Sequence, residues 1–369
     1  MARRAESAPD RGRPSLNTDA GGSHRLERAW LARGPLAAVL LPLAWLFGAI
    51  TSLRKLLYRR GWLRTETLSV PVIVVGNLIV GGAGKTPAVM ATVALLRSHG
   101  FTPGIISRGY GRVGDHTLEV QAQTAATACG DEPLLMFLRT GAPVVVGRDR
   151  VAAGRALLRA NPGVDVVISD DGLQHLRLAR NAQVLVFDER GVGNGWLLPA
   201  GPLREPLPRS TPARSVVLYN ASTPSTPLGG SLATRALAGV VELSAWRAGE
   251  AASMAGLESL RGRALVAVAG IARPNRFFEM LREHGLQINA LPLPDHFDFA
   301  SLPWPADTAD VVLTEKDAVK LDPARVGATR VWVAALDFAF TAAFETSLLP
   351  LLPAPPPPVH GSDHGNKTA

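Results

Sequence analysis

An α/β fold, with a parallel-sheet domain followed by a smaller α/β domain, is predicted by three observations in this 369-residue sequence. Short runs rich in Val and Ile alternate with Ala- and Leu-rich stretches after Ser69. A glycine-rich turn joins the first of these runs to a helical stretch. A segment rich in Pro, Ser, Thr and Gly, residues 222–231, separates this set from a second one. Buried parallel strands connected by helices produce such alternation, so we expect helices on both faces of the sheet.

The β-branched runs predict the strands, and the stretches between them predict the helices. Strands are expected at 70–76, 102–108, 143–147, 164–170, 183–188 and 215–220, and then at 264–270, 310–314 and 330–336. Helices are expected at 86–99, 149–160 and 273–285. We predict five segments: a disordered extension at 1–28, a hydrophobic membrane-associating helix with a basic flank at 29–65, a first domain at 66–225, a second domain at 226–349, and a Pro-rich disordered tail at 350–369.

Composition narrows the class of partner. The formal net charge is +8, which suits anionic lipid headgroups, phosphorylated substrates or nucleic acid. No Lys/Arg-rich run is interleaved with aromatic residues, so we expect no nucleic-acid partner. The single cysteine, Cys129, excludes an intramolecular disulfide framework and a thiolate metal cluster.

An uncharged run at 34–53 predicts a hydrophobic helix near the N-terminus. About 20 helical residues span the ~30 Å of a bilayer core, and Pro42 is expected to kink such a helix. The basic residues that follow, with Tyr58 and Trp62, suit a membrane interface. A cleaved signal peptide does not fit, because no small-residue cleavage site is present. A membrane-spanning helix, an interfacial helix and a buried core helix all remain open.

The segment "VIVVGNLIVGGAGKTP" predicts a phosphate-binding loop between a strand and a helix. Its glycines let backbone N–H groups face phosphate oxygens, Lys85 reaches the β- and γ-phosphates, and the Thr86 hydroxyl binds Mg²⁺. Ile79 stands where the strict motif has a glycine, so we expect another glycine pair to make the bend. The alternative is a glycine-rich turn with an incidental lysine. The predicted nucleotide-binding residues are Gly81, Gly82, Ala83, Gly84, Lys85 and Thr86.

The segment "VDVVISDDGLQH" ends a hydrophobic strand with two carboxylates, Asp170 and Asp171. A carboxylate at the tip of a strand beside such a loop holds Mg²⁺ in P-loop proteins, so Thr86, Asp170 and Asp171 are the predicted metal-site residues. Gln174 and His175 are predicted to hydrogen-bond phosphate or substrate. The alternative is a capped strand–loop junction with solvated aspartates.

Two further segments place acid–base groups in loops. "CGDEP" contains Asp131 and Glu132, which either stabilise the start of a helix or supply a general base for an attacking hydroxyl. "PDHFDF" places Asp295 and His296 side by side, which suits an oriented acid–base group or a phosphate contact.

Basic side chains follow two of the predicted strands, in "SRGYGR" and "GRDR". Arginine binds phosphate through two parallel hydrogen bonds, so these side chains are candidates for substrate binding, while surface salt bridges are the alternative. The candidates are Arg108, Arg112, Arg148 and Arg150. In "LTEKDAVK", Lys316 and Asp317 are adjacent, which breaks the Lys-x-Asp spacing of guanine-reading GTPases.

The order of these motifs resembles the tetraacyldisaccharide 4'-kinase family over roughly residues 30–340. The similarity rests on the loop motif, "SRGYGR", "GDEP", "GRDR", "DDGLQH", "VFDERGVGNGWLLPAGPLREP", "GIARPNRFFEMLREHG", "PDHFDF" and "LTEKDAVK". The resemblance implies two α/β/α domains joined by a short β-strand hinge, with an N-terminal hydrophobic helix at the membrane. Phe297 stands where the family commonly has a second histidine.

The resemblance also implies a particular activity. It implies ATP- and Mg²⁺-dependent phosphorylation of the 4'-hydroxyl of an acylated glucosamine disaccharide 1-phosphate, which makes lipid IVA at the cytoplasmic face of the inner membrane. It also implies that Asp131 is the catalytic carboxylate and that His296 is its partner. Membrane lipids are then expected neighbours. A P-loop GTPase or metallochaperone-type ATPase is the alternative function, and a membrane scaffold with a vestigial loop is a third.

Overall fold

The computed structural model describes residues 29–355 of the chain. The extension predicted at 1–28 and most of the Pro-rich tail lie outside the described residues. Within them, the chain forms two β-sheets with helices packed on both, so the fold is α/β with mixed, mostly parallel sheets.

The uncharged run near the N-terminus forms two helices, α1 (Pro35–Val39) and α2 (Leu41–Arg59). The predicted kink is a break at Leu40, because Pro42 lies in the first turn of α2, where a missing N–H costs no hydrogen bond. Helix α2 continues through the basic residues from Arg54 to Arg59. Within residues 29–355, none of the helices combines the length and apolar composition needed to cross a membrane.

The first sheet has eight strands in the order β3-β4-β2-β5-β1-β6-β7-β8. All neighbours are parallel except β3, which pairs antiparallel with β4 at one edge. The strands are β1 (Val72–Gly76), β2 (Pro103–Ser107), β3 (Leu118–Glu119), β4 (Val144–Val146), β5 (Val166–Asp170), β6 (Ala182–Asp188), β7 (Ser215–Asn220) and β8 (Ser231–Leu232).

The second sheet has five strands in the order β11-β10-β12-β13-β9. Strand β9 runs antiparallel to β13, and their register shifts between Ala335 and Leu336. The strands are β9 (Thr234–Glu242), β10 (Leu265–Ala269), β11 (Ile288–Pro292), β12 (Asp310–Thr314) and β13 (Arg330–Ala339). The chain therefore leaves the first sheet at Leu232 and enters the second at Thr234. Strand β8 of the first sheet lies beyond residue 225, and the division into domains at 66–225 and 226–349 stays a prediction.

Helices cover both sheets. They are α3 (Lys85–Ser98), α4 (Ala126–Cys129), α5 (Asp131–Thr140), α6 (Arg150–Ala160), α7 (Leu243–Arg247), α8 (Met254–Glu258), α9 (Pro274–Glu283), α10 (Glu315–Ala318) and α11 (Ala342–Leu348). One apolar cluster joins side chains of both sheets, among them Val75, Val268 and Leu313, so the two halves share a packed interface. Burial of this surface stabilises their mutual position.

The β-branched runs became strands within a few residues of their predicted bounds. The strands that the pattern missed are short or poor in β-branched residues. Strand β9 reads "TRALAGVVE" and β11 reads "INALP", which contain Ala, Gly, Asn and Pro. These residues have low β propensity, and neighbouring strands determine their conformation.

Candidate active site

The carboxyl ends of four neighbouring strands meet at one edge of the first sheet. Strand β1 lies between β5 and β6, and Val75 pairs with Asp170 in the parallel register. The loop after β1 and the acidic pair after β5 are therefore adjacent, although about 90 residues separate them in sequence. Strands β6 and β7 end at the same edge with polar side chains, Asp188 and Asn220.

The glycine-rich loop has a backbone that requires glycine. Gly81 and Gly84 have φ of 91° and 84°, in the left-handed region. A β-carbon at Gly84 would lie 2.0 Å from Nδ2 of Asn220, an amide that donates a hydrogen bond of 3.1 Å to the Ala83 carbonyl. A β-carbon at Gly82 would meet nothing within 4 Å, so this side of the loop is open. Helix α3 begins at Lys85, and its positive end faces the same space.

Lys85 lies between the loop and the acidic pair. Its Nζ donates a hydrogen bond of 3.3 Å to Oδ1 of Asn77 and lies 3.8 Å from Oδ1 of Asp171. Asn77 is fully buried and also donates to the Gly81 carbonyl. The ammonium group is thus held at the mouth of the loop, near Thr86, the second residue of α3.

Asp170 is a buried carboxylate with an unused acceptor. Its Oδ2 accepts a hydrogen bond of 2.9 Å from Ser107, while its buried Oδ1 has no hydrogen-bond partner. Burial, with the nearby charges of Glu132 and Asp171, raises the pKa of Asp170 to about 7. A buried carboxylate with a free oxygen is unfavourable alone, and a bound cation would stabilise it.

Asp171 is held by an arginine that the motif analysis did not single out. Arg204 donates from Nη1 to both Asp171 oxygens, at 3.0 and 3.1 Å, and to Oε1 of Gln174 at 3.2 Å. Asp171 has a φ of 46°, an uncommon conformation for a residue other than glycine. Gln174 is therefore bound to the arginine that orients Asp171.

A second arginine, Arg190, donates a hydrogen bond to the glycine-rich loop. Its Nη2 donates to the Gly82 carbonyl at 2.9 Å, and its Nε contacts Asp188 at 3.0 Å. Arg273, from the loop before α9, contacts the same Asp188 carboxylate at 3.1 Å. The only sequence signal for Asp188 was a polar residue at the end of a predicted strand.

Asp131 and His296 lie together, although 165 residues separate them in sequence. Nδ1 of His296 is 3.1 Å from Oδ2 of Asp131. Asp131 is the first residue of α5, whose N-cap is Gly130, and no side-chain capping hydrogen bond is made there. His296 has a φ of 60°, and its ring is 5.8 Å from the ring of the exposed Tyr110. Asp131 lies between β3 and β4 of the first sheet along the chain, and His296 follows β11 of the second, so the pair bridges the two halves.

The four predicted phosphate-binding arginines have different surroundings. Arg108 is exposed, and Arg112 donates to the His116 carbonyl at 2.6 Å. Arg148 is 70% exposed and pairs with the exposed Asp115 at 3.2 Å, as in a surface salt bridge. Arg150 is buried, and it donates to the carbonyls of Gly147 and Asp170. Its guanidinium group thus supports the backbone and is not open to a ligand.

His175 is also turned into the protein. Its Nε2 is buried without a hydrogen-bond partner and lies 4.0 Å from Oδ1 of Asp149. Burial, followed by the charge of Arg150, lowers the pKa of His175 to about 4. The ring is therefore neutral at physiological pH. These contacts do not support the direct phosphate contact predicted for it.

Oxygen atoms that could bind Mg²⁺ lie at this edge of the first sheet. No group of three or more His, Cys, Asp or Glu side chains suited to a metal occurs within residues 29–355. Mg²⁺ commonly uses one or two carboxylates together with phosphate oxygens and water, so such a group is not required. The unpartnered Oδ1 of Asp170, with the neighbouring charge of Asp171, fits a cation of this kind.

These features define a class of protein. A glycine loop at the start of α3, with a lysine beside an acidic strand end, is the phosphate site of P-loop nucleotide-binding proteins. The chain belongs to the tetraacyldisaccharide-1-P 4'-kinase (LpxK) family, whose sequence profile matches residues 36–353.

Individual relatives support the same assignment. The chain is 57% identical to the tetraacyldisaccharide 4'-kinase of Methylibium petroleiphilum over 337 residues, which cover 89% of this chain and 94% of that protein. It is 56% identical to the tetraacyldisaccharide 4'-kinase of Leptothrix cholodnii over 334 residues, 89% and 96% of the two chains. It is also similar to a crystal structure of LpxK from Aquifex aeolicus in complex with ATP. That match has a TM-score of 0.72 and 28% identity, and it covers 86% of this chain and all of that one.

Proposed function

We propose that this chain is an ATP-dependent kinase that phosphorylates the 4'-hydroxyl of tetraacyldisaccharide 1-phosphate, which gives lipid IVA in lipid A biosynthesis. One observation carries the proposal. The loop lysine Lys85 and the acidic residues Asp170 and Asp171 lie at the carboxyl ends of β1 and β5, and the Asp131–His296 pair joins the two halves of the chain. The names of the relatives supply the substrate class.

The proposed reaction is a single phosphoryl transfer. The 4'-hydroxyl oxygen forms a bond to the γ-phosphorus, the bond from this phosphorus to the β,γ-bridging oxygen breaks, and ADP leaves. The hydroxyl proton passes to the Asp131–His296 pair, a contribution of about 10²–10⁴-fold in rate for a positioned acid–base group. The two residues come from different halves of the chain and lie 3.1 Å apart, so the pair forms where the two halves meet.

The remaining site residues bind the nucleotide. The backbone of residues 81–84 and the positive end of α3 bind the phosphates, and Lys85 balances their charge. Thr86, Asp170 and Asp171 would hold Mg²⁺, which supplies charge neutralisation at the transferred phosphate. Arg204 and Arg190 orient Asp171 and the loop. Arg108 and Arg112, which lie in the glycine-rich segment near His296, remain candidates for the acceptor's phosphate.

The N-terminal helices supply the proposed membrane contact, at the cytoplasmic face of the inner membrane. Large apolar side chains on α1 and α2, among them Val39, Trp45 and Ile50, are exposed. The helices are tied to the body of the protein by a hydrogen bond from Trp30 to the Pro199 carbonyl and by an ion pair between Lys55 and Glu205. An exposed apolar helix face of this kind suits the membrane interface. Replacement of these three exposed side chains by Glu should move the protein from the membrane pellet to the supernatant without loss of thermal stability. Retention in the pellet would contradict this contact.

The surroundings of Asp317 argue against the alternative function of a P-loop GTPase. This carboxylate is fully buried and accepts hydrogen bonds from Thr314, Gly270 and Lys320. It is therefore occupied and is not free to read a guanine base.

Phosphate transfer in detergent tests the proposal. Purified protein is incubated with γ-labelled ATP or GTP, Mg²⁺, and a panel of lipid and sugar acceptors. We expect label on tetraacyldisaccharide 1-phosphate with ATP. Release of labelled inorganic phosphate that is independent of any acceptor would instead support a P-loop GTPase or ATPase.

A further inference from the structure

The segment "LTEKDAVK" contains a buried charge pair that the proposed chemistry does not yet use. Asp317, in α10, is fully buried, and its Oδ2 accepts hydrogen bonds from the Thr314 hydroxyl at 2.7 Å and from the Gly270 N–H at 3.0 Å. A β-carbon at Gly270 would lie 2.8 Å from Oδ1 of Asp317, so the backbone approaches this carboxylate closely. The carboxylate is therefore fixed within the second half of the chain.

Lys320 connects this fixed carboxylate to the first half. Its Nζ donates a hydrogen bond of 3.1 Å to Oδ1 of Asp317 and lies 3.8 Å from Oδ2 of Asp131. It also lies 5.3 Å from the ring centre of the buried Phe299, and its side chain is only 5% exposed. A buried ammonium group is stable only when its charge is paired, so Lys320 has little freedom to leave this position.

Oδ2 of Asp131 thus receives two groups from the second half of the chain, the imidazole of His296 and the ammonium of Lys320. We propose that Lys320 is a positioning residue, anchored by Asp317, that holds the Asp131 carboxylate in the orientation needed to pair with His296. This inference rests on the proposed kinase function and extends it to a residue that acts through Asp131.

Within the described residues, other charged side chains near the Asp131–His296 pair do not contact Oδ2 of Asp131 as Lys320 does. Lys316 contacts Asp295 at 3.2 Å, Glu132 at 3.6 Å and Nε2 of His296 at 3.5 Å, so it is directed to the other side of the imidazole. Without the Lys320 ammonium, Asp131 keeps only its contact with His296 and its side chain can rotate. A displacement of about 1 Å at a reacting group can cost on the order of 10²-fold in rate. ATP binding should persist, because the loop contacts of Lys85 do not involve Lys320.

A double-mutant cycle tests this role in single-turnover phosphate transfer to tetraacyldisaccharide 1-phosphate. Lys320→Met should lower the transfer rate about 10- to 100-fold in the otherwise wild-type enzyme, with the KM for ATP within about twofold of its original value. In the Asp131→Asn background, the same substitution should change the rate by less than about twofold, because groups that act as a unit are not additive. An equal loss in both backgrounds, or no loss in the wild-type background, overturns the proposal.

Two further variants keep the test decisive. Arg276→Met removes an exposed ion pair with Glu189 that also joins the two halves, and it should leave the transfer rate within about twofold of wild type. If Lys320→Met gives no folded protein, Lys320→Arg keeps the charge next to Asp317, and its expected several-fold loss should again vanish in the Asp131→Asn background. A wild-type enzyme that transfers no phosphate refutes the proposed function itself, whereas additive losses in an active enzyme refute only the role of Lys320.

Discussion

Replacement of Lys85 by Met tests whether the loop after β1 binds the transferred phosphate. The ammonium group lies 3.3 Å from Asn77 and 3.8 Å from Asp171, so it is preorganised before the nucleotide arrives. A unit charge about 4 Å from a phosphate charge contributes roughly 4 kcal/mol at an effective dielectric constant near 20. Asp171 already balances part of this charge, so we expect a loss of about 3–4 kcal/mol in transition-state stabilisation. That corresponds to about 10²–10³-fold in kcat/KM for ATP.

The assay is the initial rate of label transfer from γ-labelled ATP, with ATP varied at a saturating concentration of lipid. Thermal unfolding should change little, because Asp171 keeps its two hydrogen bonds from Arg204. Arg159→Met, a basic-to-Met change at an exposed position of α6, provides the matched control and should leave kcat/KM unaltered. A Lys85→Met enzyme with near-normal kcat/KM would refute the assignment of this loop.

Three further outcomes follow from the site. Gly84→Ala should lower the unfolding temperature and weaken ATP binding, because the added β-carbon would lie 2.0 Å from Asn220. Gly82→Ala should leave the unfolding temperature unchanged, because an added β-carbon meets nothing within 4 Å. Equal unfolding temperatures for the two variants would contradict this account of the loop. Burial raises the pKa of Asp170 to about 7 from an ordinary 3.8, so the folded state binds more protons than the unfolded state between these values. In metal-free protein, the free energy of unfolding should therefore fall as the pH rises through this window, and Asp170→Asn should reduce the decline; parallel pH profiles by chemical denaturation would argue against it. Asp131→Asn and His296→Ala should each lower kcat strongly with ATP affinity retained, and the double variant should be little worse than the poorer single one, whereas multiplicative losses would show independent roles.

The parts of the site that could be predicted from sequence are those encoded by short local patterns. The glycine loop and the two aspartates each follow a β-branched run, and the parallel register of β1 and β5 brings them together. The pairing of Asp131 with His296 came from the family resemblance, since local pattern does not report a contact across 165 residues. Residue type alone also did not predict the burial of the Arg150 side chain. Arg150 begins α6 and is buried, whereas Arg148, two residues earlier, is exposed.

The residues that sequence reasoning missed act at a distance along the chain. Arg204 reaches Asp171 from a loop 33 residues away, and Lys320 reaches Asp131 from the second half of the molecule. Both are single basic residues in segments without a recognised nucleotide motif. Their roles depend on tertiary packing and ion-pair geometry, which a one-dimensional pattern does not contain. The sequence pattern also missed strand β9, because its pairing with β13 determines its extended conformation.

The most direct test of the central claim is analysis of the lipid product. Purified protein, ATP, Mg²⁺ and tetraacyldisaccharide 1-phosphate are incubated, ADP is quantified, and the position of the new phosphate is determined by mass spectrometry and ³¹P NMR. We predict one ADP for each lipid phosphorylated, with the phosphate on the 4'-hydroxyl. ADP formation without phosphorylated lipid, or phosphate on a different hydroxyl, would contradict the account.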